Sequence, residues 1–200
     1  MMLKQCGWIA VAMILAAGST RAQQAAPSTA AAQAKPADAQ EMAKLGTVSD
    51  PVSGALKSLV PRYSKNMVAA AEAMPADKFG FKPTPEMNTF GHLLMHIAQS
   101  NNAFCSKISG ANAPDVKLSE SDPKDKLVAA IKASFDFCAS TLEKVDDSKL
   151  GEQMMLFGNP ASRAGAMLTL GRSWSDHYAT QAIYLRLNGI LPPTAQPAPK

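Results

Sequence analysis

Long apolar runs, cysteine pairs and catalytic signature motifs are all scarce in this sequence. The 200 residues include three cysteines and no Cys-x-x-Cys pair, so their spacing fits no common zinc motif. The sequence has no P-loop, no Rossmann glycine pattern, no Gly-x-Ser-x-Gly nucleophile elbow and no His-Glu-x-x-His motif. The nucleotide-binding enzymes, α/β-hydrolases and zinc proteases that use these motifs are therefore not supported.

A strong excess of basic residues is also lacking. The net charge of the whole chain is +4, with 20 basic and 16 acidic side chains. Two of the basic residues, Lys4 and Arg21, lie in the first 22 residues, which leaves 18 basic against 16 acidic side chains, or +2, in the remainder. A protein that binds nucleic acid normally carries a clustered basic surface. Nucleic acid is therefore not an expected partner.

The longest apolar run lies near the N-terminus and covers Gly7 to Ala17. Its 11 residues are too few to cross a bilayer, which takes about 20 residues of helix. Lys4 precedes the run, and residues 18–22 end in the small-x-small pattern that signal peptidase requires. We therefore expect residues 1–22 to be a cleaved signal peptide, which makes the protein exported, periplasmic or secreted, with no membrane span in the mature form. An uncleaved membrane anchor is the alternative.

Export would place the cysteines in an oxidising compartment. Cys6 would leave with the signal peptide, so the mature chain would keep Cys105 and Cys138. In an oxidising compartment such a pair is a disulfide candidate. Two small buried side chains that pack in a core are the alternative, and the sequence leaves both open.

The remaining chain divides by composition. Residues 23–46 are rich in Ala, Gln, Pro and Ser without an aromatic residue, so we expect a disordered linker that buries too little apolar surface to fold. Residues 194–200 contain two prolines and are expected to be a disordered tail. The folded domain is therefore predicted over residues 47–193.

Four amphipathic helical patterns fill this domain, and no strand is predicted. They run from about 52 to 74, 89 to 110, 123 to 145 and 160 to 188. Pro61 predicts a kink in the first helix or a start at that residue. Asp122 as N-cap with Pro123 at the first helical position should begin the third helix, and Gly189 should end the fourth. This pattern predicts an all-α fold, a four-helix bundle.

The domain contains three histidines, His92, His96 and His177. His92 and His96 lie one turn apart on the second helix, at a spacing that suits a metal. A helical wheel places His96 at the edge of the apolar stripe and His92 almost opposite it, so His92 is expected to be exposed. His177 lies within the apolar arc of the fourth helix. His96 and His177 are thus candidate metal ligands, with ordinary hydrogen-bonded histidines as the alternative.

Three segments stand out by their order and spacing: Phe90–Ala98, Phe104–Ser106 and, on the last helix, His177-Tyr178 followed by Tyr184–Pro193. Together they resemble the DinB-like superfamily. The likeness covers about residues 52–193 and implies a four-helix bundle with a long crossover connection. It also implies a divalent metal bound by one His on helix two and an HxxxH pair on the last helix. Some members of the family are thiol-dependent transferases or hydrolases.

By this resemblance His96 matches the helix-two ligand and His177 the second His of the HxxxH pair. Ser173 stands where the first His of that pair would be, and a hydroxyl replaces imidazole poorly on a transition metal. The implied cofactor is therefore one divalent ion (Zn, Ni or Fe), bound weakly or not at all, with Ser173 and His92 as candidate accessory ligands. No catalytic residue is assigned.

The residues around these ligands predict a small pocket, whose expected lining is Met95, Met167, Trp174 and Tyr178. Plain core filling by the same side chains is the alternative. Two functions follow as hypotheses. One is an exported metal-dependent hydrolase or thiol-dependent transferase with an incomplete His triad. The other is a non-catalytic secreted bundle that binds an unidentified small molecule or a protein partner; a homodimer stays open in either case.

Overall fold

The computed structural model describes residue 41 and residues 46–197, and four helices make up most of this part of the chain. The helices are α1 (Pro51–Ala73), α2 (Phe90–Ser109), α3 (Lys124–Leu142) and α4 (Arg163–Leu187). A short antiparallel hairpin, β1 (Gln153–Leu156) and β2 (Asn159–Ser162), precedes α4. The signal-peptide prediction and almost all of the predicted linker lie outside the described residues.

The helices form a bundle in which α1 and α2 each pack against both α3 and α4. Helix α1 therefore lies diagonally across from α2, and α3 lies diagonally across from α4. The chain crosses an end of the bundle between each diagonal pair, as in bundles with crossover connections. The all-α four-helix prediction is confirmed. Within the described residues, no helix is long and apolar enough to cross a membrane.

The hairpin corrects the prediction that the domain has no strand. Phe157 and Gly158 have φ of +50° and +84°, the left-handed values that both central residues of a type I′ turn adopt. Met154 and Leu156 are half-buried and pack against the core, whereas Met155 between them is exposed. Pro160, predicted as the start of the last helix, lies in β2 instead. Helix α4 begins at Arg163, where the Ser162 hydroxyl accepts a hydrogen bond from the Gly165 N–H at 3.1 Å.

Other predicted boundaries also differ. Helix α3 begins at Lys124 with Pro123 at the cap position, so Asp122 is not its N-cap. The Asp122 carboxylate instead accepts the Ser119 N–H at 2.8 Å and pairs with Lys126 at 2.9 Å. Helix α1 starts at Pro51 and continues through Pro61, which rules out a start at Pro61. Pro193–Ala195 form a 3-10 turn, so the first two residues of the tail predicted over 194–200 belong to a regular element.

The end of α4 follows the prediction. Gly189 has a φ of +73°, which is favourable for glycine. Its N–H donates to the Arg186 carbonyl, and the Ile190 N–H donates to the Leu185 carbonyl, each at 3.0 Å. These two bonds make a Schellman motif.

A disulfide joins α2 to α3 through Cys105 and Cys138, whose Cα atoms are 5.2 Å apart. Both side chains are fully buried. The bridge closes a sequence separation of 33 residues and fixes α2 against α3.

The N-terminus of α1 is capped from a distance by Asp147, which lies in a 3-10 turn after α3. Its carboxylate accepts the N–H groups of Val52 and Ser53, both at 2.8 Å. Burial tends to raise the pKa of Asp147, but these two backbone donors, the Ser53 hydroxyl and the charge of Lys57 together outweigh it and hold the pKa below its ordinary value. The charge also suits the positive end of the helix dipole.

Gly91 allows the loop before α3 to dock against the first turn of α2. A Cβ atom built on Gly91 would lie 2.3 Å from the backbone oxygen of Glu120, which is too close for any side chain. This contact places the Glu120 carboxylate beside Thr89, whose hydroxyl donates to it at 3.1 Å, and beside His92.

We expect Gly91→Ala to lower the free energy of unfolding by about 2 kcal/mol, because the loop must move away from the helix. Urea denaturation followed by circular dichroism measures this. Gly54→Ala is the matched control: it adds the same methyl group to α1, where nothing lies within 4 Å. Equal stability of the two variants would contradict the close approach.

Candidate functional site

His96 and His177 face each other from helices α2 and α4. Their ring centroids are 5.0 Å apart with an interplanar angle of 89°. His96 lies at the surface and His177 is half-buried. The structure therefore brings together the two histidines that the sequence nominates as metal ligands.

Each of the two rings has a serine one helical turn away. The Ser173 hydroxyl lies 3.3 Å from Nδ1 of His177, and the Ser100 hydroxyl lies 3.3 Å from Nε2 of His96. These contacts orient the rings and engage one nitrogen of each. They leave Nδ1 of His96 and Nε2 of His177 for another partner. Ser100 is a contact that the sequence reasoning did not identify, although its position four residues after His96 is a readable signal.

Partial withdrawal from water keeps both imidazoles neutral. Burial, followed by the neighbouring His96, lowers the pKa of His177 to about 4, with Asp176 opposing the shift. Burial, followed by His92, also lowers the pKa of His96. At neutral pH both rings are thus neutral, which is the form that binds a metal or accepts a hydrogen bond.

His92 belongs to a different contact. Its Nδ1 lies 3.2 Å from the Glu120 carboxylate, so it pairs with the loop before α3. Its ring is nearly parallel to that of His96, at 8°, with the centroids 6.5 Å apart. Its Nδ1 is engaged by Glu120, and among the described residues no three His, Cys, Asp or Glu side chains are grouped so that they could hold a metal ion. His92 therefore does not complete the pair as a third ligand in this arrangement.

A buried polar network lies behind the pair and fixes the helices that carry it. Trp174 Nε1 donates to Asn101 Oδ1 at 2.8 Å, and Asn101 Nδ2 donates to the Ser134 hydroxyl at 3.0 Å. All three side chains are buried, and each buried donor finds a partner, as expected in a stable core. The network links α2, α3 and α4 through residues next to Ser100 and Ser173. An asparagine within an apolar helix stripe is the signal that could have revealed it.

A cavity of about 370 Å³ opens beside the exposed side of His96. Its lining includes both histidines of α2 and one tyrosine of α4; the residues are Glu86, Met87, Asn88, His92, Leu93, His96, Thr180 and Tyr184. Burial raises the pKa of the Tyr184 hydroxyl, which donates to the Asn88 carbonyl at 2.7 Å.

None of the four residues predicted to line a pocket is among the residues that line this cavity. Trp174 is fully buried in the core, where it packs between Tyr63 and Phe135. Met167 is also buried, and it borders a separate groove between α1 and α4. The Tyr178 hydroxyl donates to Thr194 at 2.9 Å, and Met95 packs half-buried against the core. These positions agree with the alternative of core filling for Trp174 and Met167.

The donor set around His96 and His177 is small. Two imidazoles and the Ser173 hydroxyl are near one another, and among residues 46–197 no three His, Cys, Asp or Glu side chains converge on a point suited to a metal ion. Catalytic zinc sites generally use three such protein ligands. Imidazole nitrogens and a hydroxyl are suitable donors for a divalent ion, but two imidazoles are too few for this site to bind the ion tightly.

Comparisons with known proteins support the architecture. The family model described as the DinB superfamily matches residues 62–173, a range that includes His96 and Ser173 and stops before His177. A crystal structure of a DinB-like protein from Bacillus subtilis is similar, with a TM-score of 0.58 and 18% identity, covering 72% of this chain and 99% of that chain. A DinB-like protein from Bacillus cereus has a TM-score of 0.54 and 14% identity, covering 66% of this chain and 89% of that chain.

No functionally curated protein matches the chain significantly. The family model spans more than half of the sequence, and both structural neighbours share its helical architecture. The chain belongs to the DinB superfamily.

Proposed function

We propose that this protein is an exported DinB-superfamily bundle that binds one divalent metal ion weakly through His96 and His177. The observation that carries the proposal is the 5.0 Å separation of the two rings across facing helices. Both rings are neutral at pH 7 because burial lowers their pKa values. Neutral imidazole is the form that ligates zinc, nickel and iron.

The protein groups have distinct tasks in this proposal. His96 and His177 bind through the nitrogens that their serines leave free, and Ser100 and Ser173 hold the ring orientations. The Asn101 network keeps α2 and α4 in register. When bound, a divalent ion supplies a Lewis acid that activates water or a thiol. A hydrolase or a thiol-dependent transferase is therefore the proposed class of activity, and the cavity beside His96 is the proposed place for the substrate.

Export is part of the proposal. It is supported by the signal-like residues 1–22 and by the buried disulfide, because disulfides persist mainly in oxidising compartments. Export is tested by expressing the full sequence in a bacterial host. The protein recovered from the periplasm should start at Gln23; a chain that keeps residues 1–22 would contradict cleavage.

The metal site is tested with the mature chain, residues 23–200, without a His-tag. Isothermal titration with Zn²⁺, Ni²⁺ and Co²⁺ should give one site, with the affinity lowered at least about tenfold in His96→Ala and in His177→Ala, since each removes one of two strong donors. His92→Ala is the matched control. It also removes an imidazole from α2, but that imidazole pairs with Glu120 and not with His177. Equal binding by the wild type and both alanine variants of the pair would overturn the proposal.

A second function is favoured by the small donor set and the cavity of about 370 Å³. A bundle that has lost the third histidine can retain the cavity and bind a small molecule without catalysis. The absence of metal binding by wild type at millimolar concentrations would favour this function over the first.

A further inference from the structure

A second concave surface lies between α1 and α4, apart from the histidine pair. It is a groove of about 390 Å³, within the usual range of about 300–1,000 Å³ for small-molecule sites. Leu56 and Leu59 form the α1 side, and Met167 and Leu168 form the α4 side. Leu168 is 69% exposed, so the groove is open to solvent along an apolar rim.

Gly171 lies on the α4 side of the groove, opposite two leucines of α1. A Cβ atom at this position would be 3.5 Å from Leu59 Cδ1 and 3.8 Å from Leu56 Cδ1, which is ordinary van der Waals contact. The space is therefore available to a side chain, yet the sequence leaves it empty at a glycine in the interior of a helix, where alanine is more favourable. The glycine therefore leaves a methyl-sized volume free between the two leucines and α4.

Among the described residues that line the groove, Arg172 is the only charged one, and the others are apolar. Its Nη1 donates to the Asp176 carboxylate at 2.9 Å, one turn further along α4. A guanidinium has five N–H donors, so this exposed pair leaves donors for a second anion.

We propose that this groove binds a single-chain amphiphile with an anionic head group, such as a fatty acid. The alkyl chain lies along Leu56, Leu59 and Met167 over Gly171, and the carboxylate pairs with Arg172. The apolar lining with one cation at its end matches that ligand and disfavours a cationic one. The site is independent of His96 and His177, and it needs no metal.

A second copy of the chain fits the groove less well. Stable interfaces bury about 800 Å² on each partner, and of the large apolar side chains that are exposed in the described residues only Leu168 borders the groove. One exposed leucine beside a narrow channel suits a small ligand better than a flat protein interface.

The test is isothermal titration of the mature chain with decanoate, below its micelle concentration and in the presence of EDTA. Decanoate should bind at one site, octanoate about 15-fold more weakly because two buried methylenes are lost, and decyltrimethylammonium at least tenfold more weakly. Gly171→Ala should lower decanoate affinity at least fivefold while keeping or raising the Tm, since its methyl group enters the channel. Arg172→Gln should lower decanoate affinity about fivefold to tenfold.

Two matched controls separate the groove from general surface effects. Gly54→Ala adds a methyl group to α1 in open space, and Arg186→Gln removes an exposed cation near the end of α4; neither should change decanoate affinity. Equal binding of decanoate and decyltrimethylammonium, or unchanged affinity in Gly171→Ala, would overturn the proposal. So would a dimer in sedimentation equilibrium that Gly171→Ala dissociates while decanoate does not bind.

Discussion

Replacing both Cys105 and Cys138 by alanine is expected to lower the free energy of unfolding by about 3–4 kcal/mol. The bridge closes a separation of 33 residues, and the loss of that constraint on the unfolded chain accounts for this amount in the chain-entropy model. For a folded region of about 150 residues, the same change lowers the Tm by roughly 10 °C. The effect is large because typical domains are stable by only about 5–15 kcal/mol.

The measurement is urea denaturation of the mature chain, with reduced wild type as the control for side-chain packing. Reduction breaks the bond without removing a sulfur atom, so reduced wild type should lose most of the 3–4 kcal/mol, and the double variant should lose slightly more. Both sulfurs are fully buried, so reduction of the native protein should require unfolding. Equal stability of oxidised and reduced wild type would show that the bridge contributes nothing.

The helices were predictable from sequence because each one carries an apolar stripe, and because capping residues and glycine mark several of their ends. Thr89 caps α2 through the His92 N–H at 2.9 Å, and Gly189 ends α4 in the left-handed region. Local chemistry determined both boundaries. The predicted start of α3 was wrong by one residue, because the Asp122 carboxylate accepts the Ser119 N–H of the preceding loop and does not cap the helix.

The hairpin was not predictable in the same way. Its turn depends on Phe157 adopting a positive φ, which is unusual for a bulky residue. Phe157 packs edge to face on Phe104 of α2, with ring centroids 4.9 Å apart, so a long-range contact accompanies the local conformation. Pro160 then had two valid local interpretations, a helix start or an edge strand, and only the tertiary structure decides between them.

The sequence predicted the two central histidines of the candidate site but not the residues around them. His96 and His177 were nominated from spacing and resemblance, and the structure places them in contact. The partners Ser100, Asn101 and Glu120 depend on which helix faces which, and single helical wheels do not contain that information. The pocket residues were misplaced for the same reason: Trp174 faces the core centre rather than the cavity beside His96.

Ser173→His is expected to raise the affinity for Zn²⁺ by about two orders of magnitude, which corresponds to about 2.7 kcal/mol. The Ser173 hydroxyl already lies 3.3 Å from Nδ1 of His177, so an imidazole at residue 173 lies on the same side of α4 as the existing pair. It supplies the third protein ligand that catalytic zinc sites normally have. Co²⁺ titration should then show the stronger visible absorption of a lower-coordinate, imidazole-rich site.

Ser175→His is the matched control for this gain, because it places an extra imidazole on the same helix at an exposed position that points away from His177. It should bind Zn²⁺ as the wild type does. The combination of Ser173→His with His96→Ala should lose most of the gain, since the ion would then lack its ligand from α2. Equal affinities of Ser173→His and Ser175→His would mean that a histidine at residue 173 does not reach the ion held by His96 and His177, and would contradict this prediction.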